Sequence, residues 1–257
     1  EPYLLAAPVD LLDITACLWT TDDLNNLHLL HSWVTQWSGP VSLAMITQTR
    51  PRSTMHHALL QRLGALHGLP GFSLHLVHVM NDQHHPSTYL NLARLFATTS
   101  TVMLFPADIS NVLPARFHNT LIAQISLPVR KPLLISETAT SAFTIPGLTP
   151  VILPRHYQLW CNEKAFLASR TSEWDDCLWH LWLEEFGLEH ANLTVTFATE
   201  DPIIGADAAT RTRNRLSATY RAELCDLAMK RLWPNAPQMS KSAKRRVQWV
   251  KHFCRQV

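Results

Sequence analysis

The feature that most constrains this chain is a regular alternation, over its first half, of short apolar runs with amphipathic helix-like segments. Leu11 to Trp19 is an apolar, strand-like run. Thr20-Thr21-Asp22-Asp23 behind it offers an N-cap and an acidic first turn, and Leu27, Leu30, Val34 and Trp37 then repeat at helical spacing. Val41 to Thr47 reads as a second strand, Ser53 to Leu66 as a helix capped by Ser53 or Thr54, and Phe72 to Met80 as a third strand. A helix opening at Pro86, a fourth strand from Thr101 to Phe105, a helix from Pro114 to about Ser126 and a strand from Leu133 to Ser136 complete the series. Strands alternating with helices predict βαβ units, hence an α/β fold with a Rossmann-like, mainly parallel sheet flanked by helices.

The second half is less regular. Pro146 to Pro154 is extended, Trp174 to Phe186 is a Trp-rich helix stopped by Gly187, and Leu193 to Phe197 alternates like a strand. Arg211 to Trp233 and Ser240 to Cys254 read as helices. The 257 residues are 47% hydrophobic and 16% charged, with nine Trp and seven Gly, so a large core is available and disorder is excluded. No apolar run reaches the roughly 18–20 residues of a membrane span. A net charge of +2 argues against nucleic acid as a partner of the whole surface.

In doubly wound sheets ligands bind beyond the carboxyl ends of the strands, which draws attention to Thr20, Thr21, Asn81, Asp82 and Asp108. The chain has no GxGxxG and no GxxxxGK[ST], so dinucleotide and P-loop phosphate cradles are excluded. Val102 to Phe105 delivers Pro106-Ala107-Asp108-Ile109-Ser110 to that edge.

Several segments, in order, resemble glycosyltransferase family 49, the LARGE-type and β-1,3-glucuronyltransferase-like Golgi enzymes. They are Trp37-Ser38-Gly39-Pro40-Val41-Ser42, the helix around Asn91 and Arg94 with the strand ending at Asp108-Ile109-Ser110, Trp174-Asp175-Asp176-Cys177-Leu178, and Glu200-Asp201-Pro202 through Tyr220. The resemblance covers about residues 12–235. It implies a GT-A fold in one domain over 1–257, with a nucleotide-sugar half (about 8–140), an acceptor half (about 141–235) and a basic C-terminal helix (236–257). It further implies inverting transfer from a nucleotide sugar to a glycan or glycoprotein acceptor in the Golgi or secretory lumen, with possible membrane attachment before Glu1. By this match Asp175 or Asp176 is the general base. Thr20, Thr21, Arg94, Asp108 and Ser110 face the donor, and Asp108 holds Mn²⁺ or Mg²⁺ against its diphosphate. Two departures stand out: Ser110 replaces the second acid of Asp-x-Asp, and Val195 to Asp201 contains no histidine to match the family's late metal ligand. They keep a second function open, a catalytically inactive GT-A-like binding or accessory protein.

The five cysteines lack CxxC spacing, and their odd number leaves at least one thiol unpaired within the chain. The fourteen histidines contain no HExxH and read as ordinary surface or partly buried residues rather than a zinc site. Trp174, Trp179 and Trp182 read as core, with a sugar-stacking platform as the alternative. Lys241, Lys244, Arg245, Arg246, Lys251 and Arg255 line a helix backed by Val247, Val250 and Cys254. They read as a solvated face, with docking to an anionic membrane or polyanion as the alternative.

Overall fold

The computed structural model describes residues 1–7, 13–80, 86–107, 109–110, 113, 116–136, 143, 148–161, 170–192, 208–232 and 240–255. Seven strands form one sheet: β1 (Ile14–Thr21), β2 (Val41–Thr47), β3 (Phe72–His78), β4 (Thr101–Leu104), β5 (Leu133–Ser136), β6 (Val151–Pro154) and β7 (Glu189–Asn192). Their order is β3-β2-β1-β4-β6-β5-β7. β1, β2, β3 and β4 run parallel, so Thr21, Thr47, His78 and Leu104 end on one edge. β6 runs against β4 and β5, with Leu104 opposite Val151, while β7 is parallel to β5. Among the described residues the helices are α1 (Leu24–Trp37), α2 (Thr54–Leu63), α3 (Pro86–Leu95), α4 (Phe117–Gln124), α5 (Arg170–Glu185), α6 (Ala208–Leu232) and α7 (Lys241–Phe253).

Alternation along β1 divides the core. Ile14, Ala16 and Leu18 pack with Leu30, Val34 and Trp37 of α1, Leu59 and Leu63 of α2, and Phe117 and Leu121 of α4. Cys17 and Trp19 pack with Tyr89, Leu90 and Ala93 of α3, Trp174, Trp179 and Trp182 of α5, and Val250 and Phe253 of α7. The three α5 tryptophans are core. Asp23 caps α1 by accepting from Asn25 N–H at 3.2 Å, and Ser53 caps α2 by accepting from His56 N–H at 3.1 Å. Trp37 Nε1–H donates to Pro40 O at 2.9 Å, and the His118 ring, 2.6 Å from Asp13, covers Gly39 so closely that a Cβ there would lie 2.4 Å from Nε2. The Trp-x-Gly-Pro turn is thus a packing device.

Several boundaries differ from the pattern reading; α5 and α6, for instance, start at Arg170 and Ala208 rather than at Trp174 and Arg211. The helix expected over 53–66 ends at Leu63 and tightens into a 3₁₀ turn, Gly64–Gly68. The helix expected from Pro114 starts at Phe117. The strand expected at Leu193–Phe197 lies outside the described residues, and β7 precedes it.

Cys161–Cys177 ties the loop after β6 to α5, and Cys225–Cys254 ties α6 to α7; Cys17 is a buried free thiol. Alkylation of the unfolded, unreduced chain is therefore expected to modify one cysteine, and of the reduced chain all five, by intact mass. Loop closure predicts about 3–4 kcal/mol for each bridge, read as a lower melting temperature on reduction.

Residues 1–5 cover the β3 edge, with Leu5 and Leu74 exchanging backbone hydrogen bonds at 3.4 and 3.0 Å. Tyr3 N–H donates to His75 Nδ1 at 2.9 Å. Ser42 Oγ donates to Ala93 O at 2.6 Å and so accepts from His75 Nε2, 3.1 Å away. The buried ring is held neutral, and burial pulls its pKa from 6.5 down to about 4. A folded pKa below the unfolded value gives stability that is complete above pH 6.5 and lost as pH falls towards 4. Urea midpoints should record a loss of up to about 3 kcal/mol across that window, flattened in His75→Gln.

Candidate functional site

A cavity of about 630 Å³ opens at the carboxyl ends of β1, β2 and β3, lined by Thr21, Asp22, Gln48, Thr49, Arg50 and Ser53, with Ile46, Met55 and Val79 as its apolar wall. A hydrogen-bond chain sets its polar wall. Thr49 N–H donates to Thr47 Oγ1 at 3.0 Å, and Thr47 Oγ1 donates to Asp22 Oδ2 at 2.6 Å. Asn26 Nδ2 donates to Thr21 Oγ1 at 2.9 Å. The wall thus offers a carboxylate, an arginine, several amide and hydroxyl groups and the N-terminus of α2, a set suited to a polar, phosphate-bearing ligand. Thr21 belongs to it. Thr20 is buried within β1 and does not line it. Gln48, Thr49 and Arg50 were not anticipated, although they follow a strand as directly as Thr21 does.

The second acidic pair comes from α5. Trp174 Nε1–H donates to Thr149 O at 2.8 Å, just before β6, which starts opposite the carboxyl end of β4. Tyr157 Oη–H, beyond the other end of β6, donates to Glu185 at 2.5 Å. α5 therefore runs from the carboxyl edge to the opposite edge and carries Asp175 and Asp176 near its start. Asp176 is buried, and its Oδ1 accepts from Ser217 Oγ at 2.6 Å and from Arg221 Nε at 2.7 Å, fastening α5 to α6. Burial raises the Asp175 pKa, and Arg221 lowers it in part.

Arg94 does other work than donor binding. It is 1% exposed. Its Nε donates to Arg155 O and its Nη1 to Leu159 O, both at 2.8 Å, and Nη2 donates to Tyr157 O. The guanidinium lies 4.0 Å from the Trp160 ring centroid. One turn earlier, Asn91 Nδ2 donates to Cys161 O at 2.8 Å. The Asn-x-x-Arg face of α3 is a clamp on the chain after β6. Asp108 lies outside the described residues, and Ser110 is exposed beyond β4. Among the described residues the cavity presents one carboxylate, Asp22, so a hard divalent ion there would take its remaining oxygens from ligand phosphates and water.

His56 and His78 converge on Glu1. His56 Nε2 and His78 Nε2 lie 3.6 and 3.8 Å from Glu1 Oε1. The backbone sets their tautomers. His78 Nδ1 donates to Thr49 O at 2.9 Å, leaving Nε2 with a lone pair, whereas His56 Nδ1 accepts from Arg52 N–H at 3.2 Å. The His56 proton then sits on Nε2, so this ring offers the trio a donor and not a metal ligand.

No protein-family model matches the chain, and no curated protein matches it in sequence. Solved structures do match. S. aureus TarS, residues 1–349, superposes with a TM-score of 0.53 over 93% of this chain and 70% of its own, at 10% identity. The mannosyltransferase PcManGT from Pyrobaculum calidifontis, solved with GDP-Man and Mn²⁺, superposes with a TM-score of 0.48 over 97% and 84%, at 11% identity. The TarS match and the strand order define the class: a mixed α/β fold of the GT-A glycosyltransferase type.

Proposed function

We propose that this chain transfers a sugar from a nucleotide-sugar donor to a glycan or other hydroxyl acceptor, with inversion, in the manner of family 49. The observation that carries the reading is the polar cavity at the carboxyl edge of β1–β3, where an open parallel sheet binds its ligand. The nucleotide occupies the wall of Thr21, Asp22, Thr49 and Arg50. Asp108, which follows β4 in the sequence, is the residue that would hold Mn²⁺ or Mg²⁺, and the ion would neutralise the leaving diphosphate. Asp175 takes the acceptor hydroxyl proton. The two disulfides favour an oxidising lumen such as the Golgi. Among the described residues no helix is long and apolar enough to cross a membrane.

Calorimetric titration with a panel of nucleoside diphosphates, with and without Mn²⁺, tests this reading. One diphosphate is expected to bind, and Asp22→Ala to weaken it about tenfold or more, the loss of one charge-assisted contact. Absence of heat or thermal shift with every diphosphate would overturn the transferase reading. The departure at Ser110 favours one alternative, a binding protein without turnover. Donor binding without sugar release, in wild type as in Asp108→Ala, identifies it.

A further inference from the structure

The near-balanced total charge conceals a steep separation. Residues 208–257 carry twelve Lys and Arg against two Asp and Glu, while the preceding 207 residues carry ten against eighteen. The C-terminal helical pair thus holds a net +10 and the rest of the chain −8. The pair is one unit, since Cys225 of α6 is bonded to Cys254 of α7. Arg221 and Arg231 reach back to Asp176 and Glu184 on α5. Arg215, Lys230, Lys241, Lys244, Arg245 and Arg255 are exposed.

These two ion pairs also give the direction of α6. Asp176 meets Ser217 and Arg221, and Glu184, two turns on, meets Arg231, so α6 runs parallel to α5. α5 starts at the carboxyl edge. The nine residues of α6 before Ser217 extend about 14 Å further towards that edge, bringing Arg211, Arg213 and Arg215 with them. Apart from Arg221, the basic residues of α6 thus gather at its two ends, Arg211, Arg213 and Arg215 beside the carboxyl edge and Lys230 and Arg231 at the far end, with Glu223 and Asp226 exposed between them.

We propose that the basic α6–α7 pair binds an acidic glycan, a linear polymer bearing sulfate, carboxylate or phosphate groups, and that the acceptor belongs to this class. The inference rests on the transferase reading for the word acceptor and on charge complementarity for the surface. A bilayer fits less well. The apolar face of α7 is spent on the core through Val247, Val250 and Phe253, and on α6 the exposed Leu216 and Leu227 stand eleven residues apart. The disulfides favour a compartment that lacks nucleic acid and faces away from the anionic cytoplasmic leaflet. Charged polysaccharide is the polyanion that such a compartment contains.

The test uses the full oxidised chain and fluorescence anisotropy with a labelled sulfated oligosaccharide, against uncharged dextran, single-stranded RNA of matched charge and phosphatidylserine vesicles. The sulfated probe should bind most tightly and weaken steeply with salt. Joint reversal by Arg215→Glu, Lys241→Glu, Lys244→Glu and Arg245→Glu should cost about tenfold or more in affinity, with melting temperature and thiol count unchanged. Arg62→Glu, exposed on α2, should cost nothing. Should the fourfold reversal not fold, the same four positions as Gln give the comparison. Tighter binding of RNA or vesicles, equal binding of dextran, or an unaffected charge variant overturns the proposal. Failure of nucleoside diphosphate binding would leave this surface standing; loss of glycan binding with donor binding intact removes this inference alone.

Discussion

Arg94→Ala is expected to lower stability by about 3 kcal/mol or more, a large share of the 5–15 kcal/mol typical of a folded domain. The side chain is buried, and its guanidinium is the shared partner of three carbonyls, those of Arg155, Tyr157 and Leu159. Alanine strands those acceptors, removes the face-on contact with Trp160, and loosens the loop that Cys161 bonds to α5. Burial pulls the Arg94 pKa down to about 10, so the group is still a cation at neutral pH and its charge is met by carbonyl dipoles. Arg94→Lys keeps the charge but replaces a planar fork with a single ammonium, so its loss should be intermediate. Urea midpoints of the three proteins check this order. A donor-binding role predicts the opposite pattern: Arg94→Lys with wild-type stability and lost nucleotide affinity. An unchanged midpoint in Arg94→Ala would remove the clamp.

The same residue shows where reading a sequence stops. Spacing of three places Asn91 and Arg94 on one face of a helix, but nothing in the pattern says what that face meets. Their partners are backbone carbonyls 61 to 70 residues further on, and a carbonyl has no side-chain signature. The strands were visible because β1, β2 and β4 are covered on both faces and read as largely apolar runs, while β3 alternates Leu74 and Leu76 with Ser73 and His75. Their helices were visible because Asp23 and Ser53 are capping residues placed just before apolar periodicity. The cavity was half visible. The rule about carboxyl ends leads to Thr21, whereas Gln48-Thr49-Arg50 form no motif and only the β1–β2 register shows that they stand beside Asp22. The convergence of His56 and His78 on Glu1 depends on residues 1–5 lying along the β3 edge, a tertiary fact with no local signal. The charge separation, in contrast, is fully present in the sequence and is hidden only by averaging over the chain.

Asp175→Asn is expected to reduce sugar transfer by about 10²- to 10⁴-fold while donor affinity changes little, the range for loss of a positioned general base. Of the two neighbouring acids, Asp176 is engaged at Oδ1 by both Ser217 and Arg221, contacts that tie it into the α5–α6 joint and away from an acceptor. Burial raises the Asp175 pKa above the usual carboxylate value against a smaller opposing pull from Arg221. A raised pKa makes a stronger base and fixes the direction of the pH profile. Activity should fall as pH drops through a value above that of an ordinary aspartate, and this acid limb should vanish with the residual activity of the Asn variant. The stability sign is independent. A carboxyl whose folded pKa lies above its unfolded one holds its proton more tightly when folded, so its contribution is complete at low pH and is lost as pH rises through the folded pKa. At neutral pH the ionised Asp175 is therefore a cost, and Asp175→Asn should melt at the same temperature as wild type or higher. Asp176→Asn removes the charge that pairs with Arg221 and should melt lower. A variant at 175 that melts no lower and is inactive, beside one at 176 that melts lower, separates the base from the strut; full turnover in Asp175→Asn, with its acid limb intact, would remove Asp175 from the chemistry.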